Sequence, residues 1–263
     1  MGQANSRLKR MRSEQPWCVY CGRTTPGTQQ DHMPPIAIFD NRQRHGEMVY
    51  LACAACHFGT RRLDHVASFF SMVFPDPSTP ALQREMYKVT EGINNNFSGL
   101  LEELRPTPEQ LEQARNAPSP FNPDDAPLNI SERAHDYLLQ FGARAAMALH
   151  YELCREVLPE GGGVFIDLFT NTVLLKGDRS LNDFAAMLGL PKTLRQGSKS
   201  HEGEFLYASG AAEGNNMWGH LMTFRTSFGI RAFVARDIAD LAPAVPTPKL
   251  NRVFRPGFLK MLA

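Results

Sequence analysis

Apolar residues return at helical spacing in two stretches of the chain and at near-alternate spacing in a third. Leu63, Val66, Ala67, Phe69, Phe70 and Val73 suit a helix with one buried face, which Pro75 ends. Ala134, Leu138, Phe141, Ala145, Ala148 and Leu153 return to one face of a longer helix that runs from Ser131 to about Leu158. Ser131 can cap its start, and Pro159-Glu160-Gly161-Gly162-Gly163 stops it. Beyond the glycines the texture changes to strands, expected over 164–169, 172–175, 204–208 and a long Phe-, Thr- and Val-rich stretch from 220 to 234, with a short helix over 180–188.

Between these patterned regions lies a proline-rich connector, since nine of the nineteen prolines fall within 75–130. Thr79-Pro80 and Thr107-Pro108-Glu109-Gln110 each pair an N-cap residue with proline at the first helical position, so two short helices are expected there. Residues 116–129 lack periodicity and read as an extended linker. The resulting organisation is a basic flexible arm over 1–15, a cysteine-containing module over 16–74, the connector over 75–130, and an α+β domain of helix and antiparallel sheet over 131–263. The fold class is therefore α+β.

Composition narrows the class. With 43% hydrophobic and 21% charged residues the chain reads as an ordinary globular protein, and its 263 residues allow one or two domains. No apolar run is long enough to span a bilayer and no apolar segment follows the basic N-terminus, so a cytoplasmic protein without a membrane partner is expected. The triple glycine is followed by no Lys-Ser/Thr at phosphate-loop spacing, and no Gly-x-Gly-x-x-Gly precedes a helix, which argues against nucleotide chemistry. The net charge of +1 hides an asymmetry, because residues 1–62 hold nine Lys/Arg against four Asp/Glu. Such an excess suits a phosphate backbone as well as it suits an ordinary solvated face.

Four of the five cysteines form two Cys-x-x-Cys pairs, Cys18/Cys21 and Cys53/Cys56, in a chain with no export signal. Thiolate ligands to a structural zinc are the natural reading, since each turn sets two sulfurs on one ion and two turns close a tetrahedron. The 31 residues between Cys21 and Cys53 are enough for a β-hairpin held at its base by the metal. Cys154 lies in the long helix and reads as a buried small hydrophobe, and His135 and His150 on the same helix as structural histidines.

Between the two pairs stands Asp31-His32-Met33-Pro34-Pro35, and His57 directly follows the last cysteine. This series over residues 17–74 resembles the HNH (ββα-metal) endonucleases of the zinc-stapled type, of the kind found in phage recombination endonuclease VII and in bacterial HNH proteins with an Asp-His-x-Pro-Pro motif. The resemblance implies that His32 is the general base that activates water, and that Asp31 and His57 are catalytic residues as ligands of a Mg²⁺ or Mn²⁺ ion. It implies DNA as partner, with self-association left open. Asp64, two helical turns beyond His57, is a further candidate near that ion, and His65 a weaker one. Arg23, Arg42, Arg44, Arg61 and Arg62 are candidates for contacts to the nucleic acid, and His45 falls in the hairpin loop.

Two departures matter. Asparagine is usual after the last cysteine in the endonuclease VII type, and histidine there favours a softer ion such as Mn²⁺, Ni²⁺ or Zn²⁺. The middle asparagine of the motif is missing, since residues 47–52 read Glu-Met-Val-Tyr-Leu-Ala, with Asn41 further back. A rival expectation is therefore a non-catalytic zinc module that binds nucleic acid or a protein, and a weaker one is a Cys-x-x-Cys redox protein. The aromatic strand residues Phe205, Tyr207, Trp218, Phe224, Phe228 and Phe233 could stack bases but, at a spacing of two, read better as core.

Overall fold

The computed structural model describes residues 3–44, 48–74, 79–116, 127–196, 199–211, 216–244 and 252–262. The expected linker falls largely within 117–126, and His45 within 45–47, both outside the described residues. Where a frayed arm is expected, the chain instead forms helix α1 (Gln3–Glu14), which Arg12 ties to the module through the carbonyls of Gly27 and Thr28.

Next comes the hairpin of β1 (Gln29–His32) and β2 (Val49–Ala52), antiparallel with Asp31 opposite Tyr50. It leads into α2 (Ala54–Met72), whose Leu63, Val66, Ala67 and Phe70 are buried as the spacing predicts. Both connector helices form, as α3 (Pro80–Asn96) and α5 (Pro108–Asn116), with a single turn α4 (Leu100–Glu103) between them. Thr79 Oγ1 accepts the Leu82 N–H, and Thr107 and Gln110 exchange reciprocal bonds in a capping box.

Helix α6 (Glu132–Cys154) starts where Ser131 accepts the Ala134 N–H, and ends where Arg155 turns left-handed at φ 55°. That ending precedes the expected Leu158. Every residue from Phe141 to His150 is buried, because α2 packs on one side of α6 and a five-stranded sheet on the other. The small residues of this run permit the approach. A Cβ on Gly142 would fall 3.0 Å from the Ile166 side chain.

The sheet is antiparallel, ordered β6 (Phe205–Ala211), β7 (Met217–Phe224), β8 (Phe228–Ala235), β3 (Gly163–Thr170), β9 (Val253–Phe254). The stretch expected as one long strand is thus a hairpin broken at Arg225. Val164, Ile166, Ile230, Ala232 and Val234 share the face toward α6, together with Phe205, Trp218, Phe224 and Phe228. Phe233 lies on the other face against Phe165 and Phe184, so the aromatic strand residues are packing groups. Residues 172–175 are not the expected strand, but lie in α7 (Asn171–Lys176), a short helix ended by left-handed Gly177. Helix α8 (Arg179–Leu188) forms as expected, and a small hairpin pairs β4 (Arg195–Gln196) with β5 (Lys199–Ser200).

A single buried apolar cluster runs from Cys18 through α2, α3 and α6 into the sheet, so the cysteine module shares its core with the helices and strands C-terminal to it. Polar ties reinforce that junction. Arg225 donates to the Ile38 carbonyl at 3.0 Å and to Asp40 at 2.5 Å, while the Asp40 N–H donates to Glu204 at 2.5 Å. Cys154 is only partly buried at the core's edge, with its sulfur 3.8 Å from His150 Nδ1. Among the described residues no helix is long and apolar enough to cross a membrane.

His150 and His220 are both wholly buried, the former edge-on to Trp218 at 4.6 Å and the latter 2.8 Å from Ser209 Oγ. Burial drives their pKa values down, to about 4 for His150 and about 3 for His220, where the charge of His150 adds to the effect. Both folded values lie below the unfolded one, so the unfolded chain binds more protons: stability is full at neutral pH and is lost as pH falls through 6.5 toward 4. Urea titrations should show a loss of about 1 kcal/mol per histidine between pH 7 and about pH 5.5. The double variant His150→Gln/His220→Gln, though less stable at pH 7, should show a flatter dependence; an unchanged slope would place the proton uptake elsewhere.

Candidate functional site

The hairpin and the start of α2 are closed by Cys18, Cys21, Cys53 and Cys56, all buried, with sulfurs within 4.8 Å of one another. Tetrahedral zinc with Zn–S bonds of about 2.3 Å needs sulfurs about 3.8 Å apart, so the cluster is of the right size. Among the described residues it is the one group of three or more His, Cys, Asp or Glu side chains disposed to share an ion.

Each pair has a local reason for its shape. In the first, Thr24 N–H and Thr24 Oγ1 both donate to the Cys21 carbonyl, and Gly22 turns left-handed at φ 66°. A side chain there would also meet the Glu160 backbone, its Cβ falling 2.8 Å from Cα. In the second, Cys53 is the N-cap of α2, its sulfur accepting the Cys56 N–H at 3.5 Å.

Crowding of the sulfurs distributes charge unevenly. The Cys18 thiol is pushed up to about 12 by its neighbour Cys21, Cys56 is pushed upward by bonds from Cys18 and Cys21, and Cys21 is held low by bonds from Cys18 and Cys56. Without a cation only part of the cluster can ionise. A divalent cation removes that conflict, and zinc fits the sulfur donor set.

Asp31 sits on β1, directly across from Tyr50, and is 2% exposed. One oxygen, Oδ2, accepts the Tyr20 hydroxyl at 2.5 Å, Arg144 Nη2 at 2.8 Å and Arg144 Nε at 3.2 Å. The other, Oδ1, lies 3.3 Å from His57 Nδ1. Burial alone would raise this carboxyl, but the Arg144 charge and the bonds from His57 and Tyr20 outweigh it and hold it at about 2.

His57 occupies the first turn of α2, one residue past Cys56, so the sulfur cluster aims it at Asp31. His32 follows Asp31 on β1 and is half-buried; burial, then the charges of Arg44 and Arg7, depress its pKa against the pull of Asp31. The sequence-based candidates Asp31 and His57 are thus brought together. Asp64 lies beside them, paired with the same Arg144 through Nη1; desolvation pushes its carboxyl upward against that pull, with the charges of Asp31 and His57 also acting on it, although a quarter of the side chain still meets solvent. His65 packs away from the site, edge-on to Phe97 at 5.8 Å and tight against Gly92 of α3. Asn41 is exposed in a short 3-10 turn, with φ 53°.

The candidate nucleic-acid residues divide. Arg23 pairs with Glu156 at 3.1 Å and Arg42 with Glu85 at 3.5 Å. Arg44 braces the loop from within, donating to the carbonyls of Pro34, Met33 and Met48 at 2.8, 3.0 and 3.0 Å, and burial lowers its pKa to about 10. Arg61 and Arg62 are exposed on α2, with Arg61 over the Phe58 ring at 5.0 Å.

Arg144 is the residue that sequence reasoning missed. Its side chain is 0% exposed, and the available signal was a lone charge inside Phe141-Gly-Ala-Arg-Ala-Ala-Met-Ala-Leu149, because a charge in a buried run requires partners. A scan of family models finds no match to the chain, and searches of curated proteins and of solved structures find none either.

Two outcomes are expected. Metal analysis of the purified protein should find one zinc per chain, and Cys53→Ser should lose both the zinc and protease resistance across residues 17–72. Arg144→Met, which leaves Asp31 and Asp64 uncompensated, should lower unfolding free energy by about 3–5 kcal/mol in urea titrations at pH 7. A loss under about 1 kcal/mol would mean that water replaces the guanidinium.

Proposed function

We propose that this chain is a zinc-stapled, metal-dependent endonuclease of HNH type that hydrolyses phosphodiester bonds of DNA. The observation that carries the reading is the approach of Asp31 Oδ1 and His57 Nδ1 to 3.3 Å, from a strand and a helix that four cysteines hold together. Two donors at that separation can both reach one ion at about 2.1 Å. Asp31 and His57 would therefore hold the catalytic cation, for which the mixed oxygen and nitrogen donors suit Mn²⁺ as well as Mg²⁺.

When bound, the cation supplies positive charge to the phosphate and to the departing 3′ oxygen. His32 supplies the base. With its pKa depressed by burial it is neutral at pH 7, and can take a proton from water while the hydroxide attacks phosphorus and the bond to the 3′ oxygen breaks. Exposed Arg61, one turn beyond His57 on α2, lies on the same helix face and suits a phosphate contact.

A non-catalytic zinc module that binds nucleic acid or a protein is the second reading, favoured by the missing middle asparagine and by the exposure of Asn41 away from a packed position. Supercoiled plasmid and branched DNA separate the two. Wild type should cut with Mn²⁺ or Mg²⁺ and not in EDTA, and His32→Ala at equal zinc content should lower the rate by about 100-fold or more. Binding without cutting by folded, zinc-loaded protein under every metal would establish the second reading instead.

A further inference from the structure

The proposed site has two ligands and a base, all within the hairpin and α2, yet its largest polar commitment comes from α6. The Arg144 guanidinium spends every nitrogen there. Nε and Nη2 both donate to Asp31 Oδ2, Nη2 donates also to the His32 carbonyl at 2.9 Å, and Nη1 pairs with Asp64. Tyr20, whose ring lies 5.8 Å from the guanidinium carbon, adds its hydroxyl to the same Asp31 oxygen.

Three donors on Oδ2 occupy that oxygen fully. What remains to Asp31 is Oδ1, whose partner among the described residues is His57. The bond to the His32 carbonyl fixes the backbone of the adjacent residue as well, so one side chain sets both the ligand oxygen and the residue that carries the base. A planar fork with five donors can do this, and an ammonium cannot satisfy three acceptors in the same plane.

We infer that Arg144 is a positioning residue of this site: it withdraws one oxygen of Asp31, presents the other to a single cation shared with His57, and pins His32 beside it. The inference rests on the nuclease reading and deepens it. Asp64 takes a part in it as the second anchor of the guanidinium, which accounts for an acid two turns past His57 on α2.

The test uses full-length zinc-loaded protein and Mn²⁺ as the probe, followed by electron paramagnetic resonance titration and by plasmid cleavage. Arg144→Lys retains a positive charge between Asp31 and Asp64, so it tests the fork without abandoning the buried carboxylates. The Mn²⁺ dissociation constant should rise about tenfold or more, and cleavage at saturating Mn²⁺ should fall, while zinc content and DNA affinity stay within about twofold of wild type. A role in stability alone would leave the Mn²⁺ constant unmoved in the folded fraction.

Tyr20→Phe is the second variant, decisive if Arg144→Lys loses zinc or fails to fold. It removes one of the three donors on Oδ2 with little change in volume and should weaken Mn²⁺ about threefold. A Mn²⁺ constant unchanged or tightened in the folded variants overturns the positioning role and leaves the nuclease reading intact. If wild type holds no Mn²⁺ that His57→Ala abolishes, the nuclease reading fails, and the role of Arg144 falls with it.

Discussion

A guanidinium with no access to water must find its counter-charges inside the protein, and at residue 144 that requirement constrains three elements at once. Desolvation works against the Arg144 charge, and Asp31 and Asp64 outweigh it. Because those carboxylates come from β1 and α2, the helix that bears Arg144 can neither rotate nor slide without breaking bonds to both. The composition of that helix follows from the same demand. Gly142, Ala143, Ala145, Ala146 and Ala148 keep the backbones near, so that the long side chain spans the gap and the sheet seals it from behind.

The sulfur cluster imposes a second constraint, local where the first is long-range. Two four-residue strands hold little structure alone, and an ion held by the four sulfurs at the base of the hairpin would add closure to the packing it shares with the core. The same cluster sets the phase of α2. Cys53 caps it, Cys56 points inward, and His57 must then project from the first turn toward β1. The C-terminal segment joins this arrangement, since the Gly257 N–H donates to the Tyr20 carbonyl and Lys260 reaches Thr24 and Thr25 behind the first pair. Tyr20 itself lies between the two constraints, inside the first Cys-x-x-Cys pair and bonded to Asp31.

How far the sequence could be read depended on whether a feature was local. The cysteine spacing, the caps at Thr79, Thr107 and Ser131 and the period of α2 are properties of a few neighbouring residues, and all correspond to elements that form. The errors arise where the deciding partner is remote. Thr172, Val173, Leu174 and Leu175 have strand composition, but the chain has already left the sheet edge, and Gly177 ends a helical turn. Arg23, Arg42 and Arg44 contribute to a basic count, and nothing near them announces Glu156, Glu85 or the three carbonyls that engage them. Arg144 was visible as an anomaly, a charge among alanines, but its partners 113 and 80 residues away were not.

The separation of Asp31 from solvent bears on how such a site would meet a polymer. A buried carboxylate cannot touch DNA, so on the nuclease reading contact falls to His57, about a third exposed, and to the exposed arginines of α2 one turn along. Arg7 of α1 acts on His32 as well: after burial and the charge of Arg44, its charge helps to depress the histidine's pKa. Positive charge there adds to burial in disfavouring the protonated imidazole, and on the nuclease reading the same charge would attract a phosphate toward His32. The asymmetry of charge along the first 62 residues thus has a structural counterpart in Arg44 and Arg7 acting on one histidine, even though three of the five arginines expected as nucleic-acid contacts serve the protein's interior or its ion pairs.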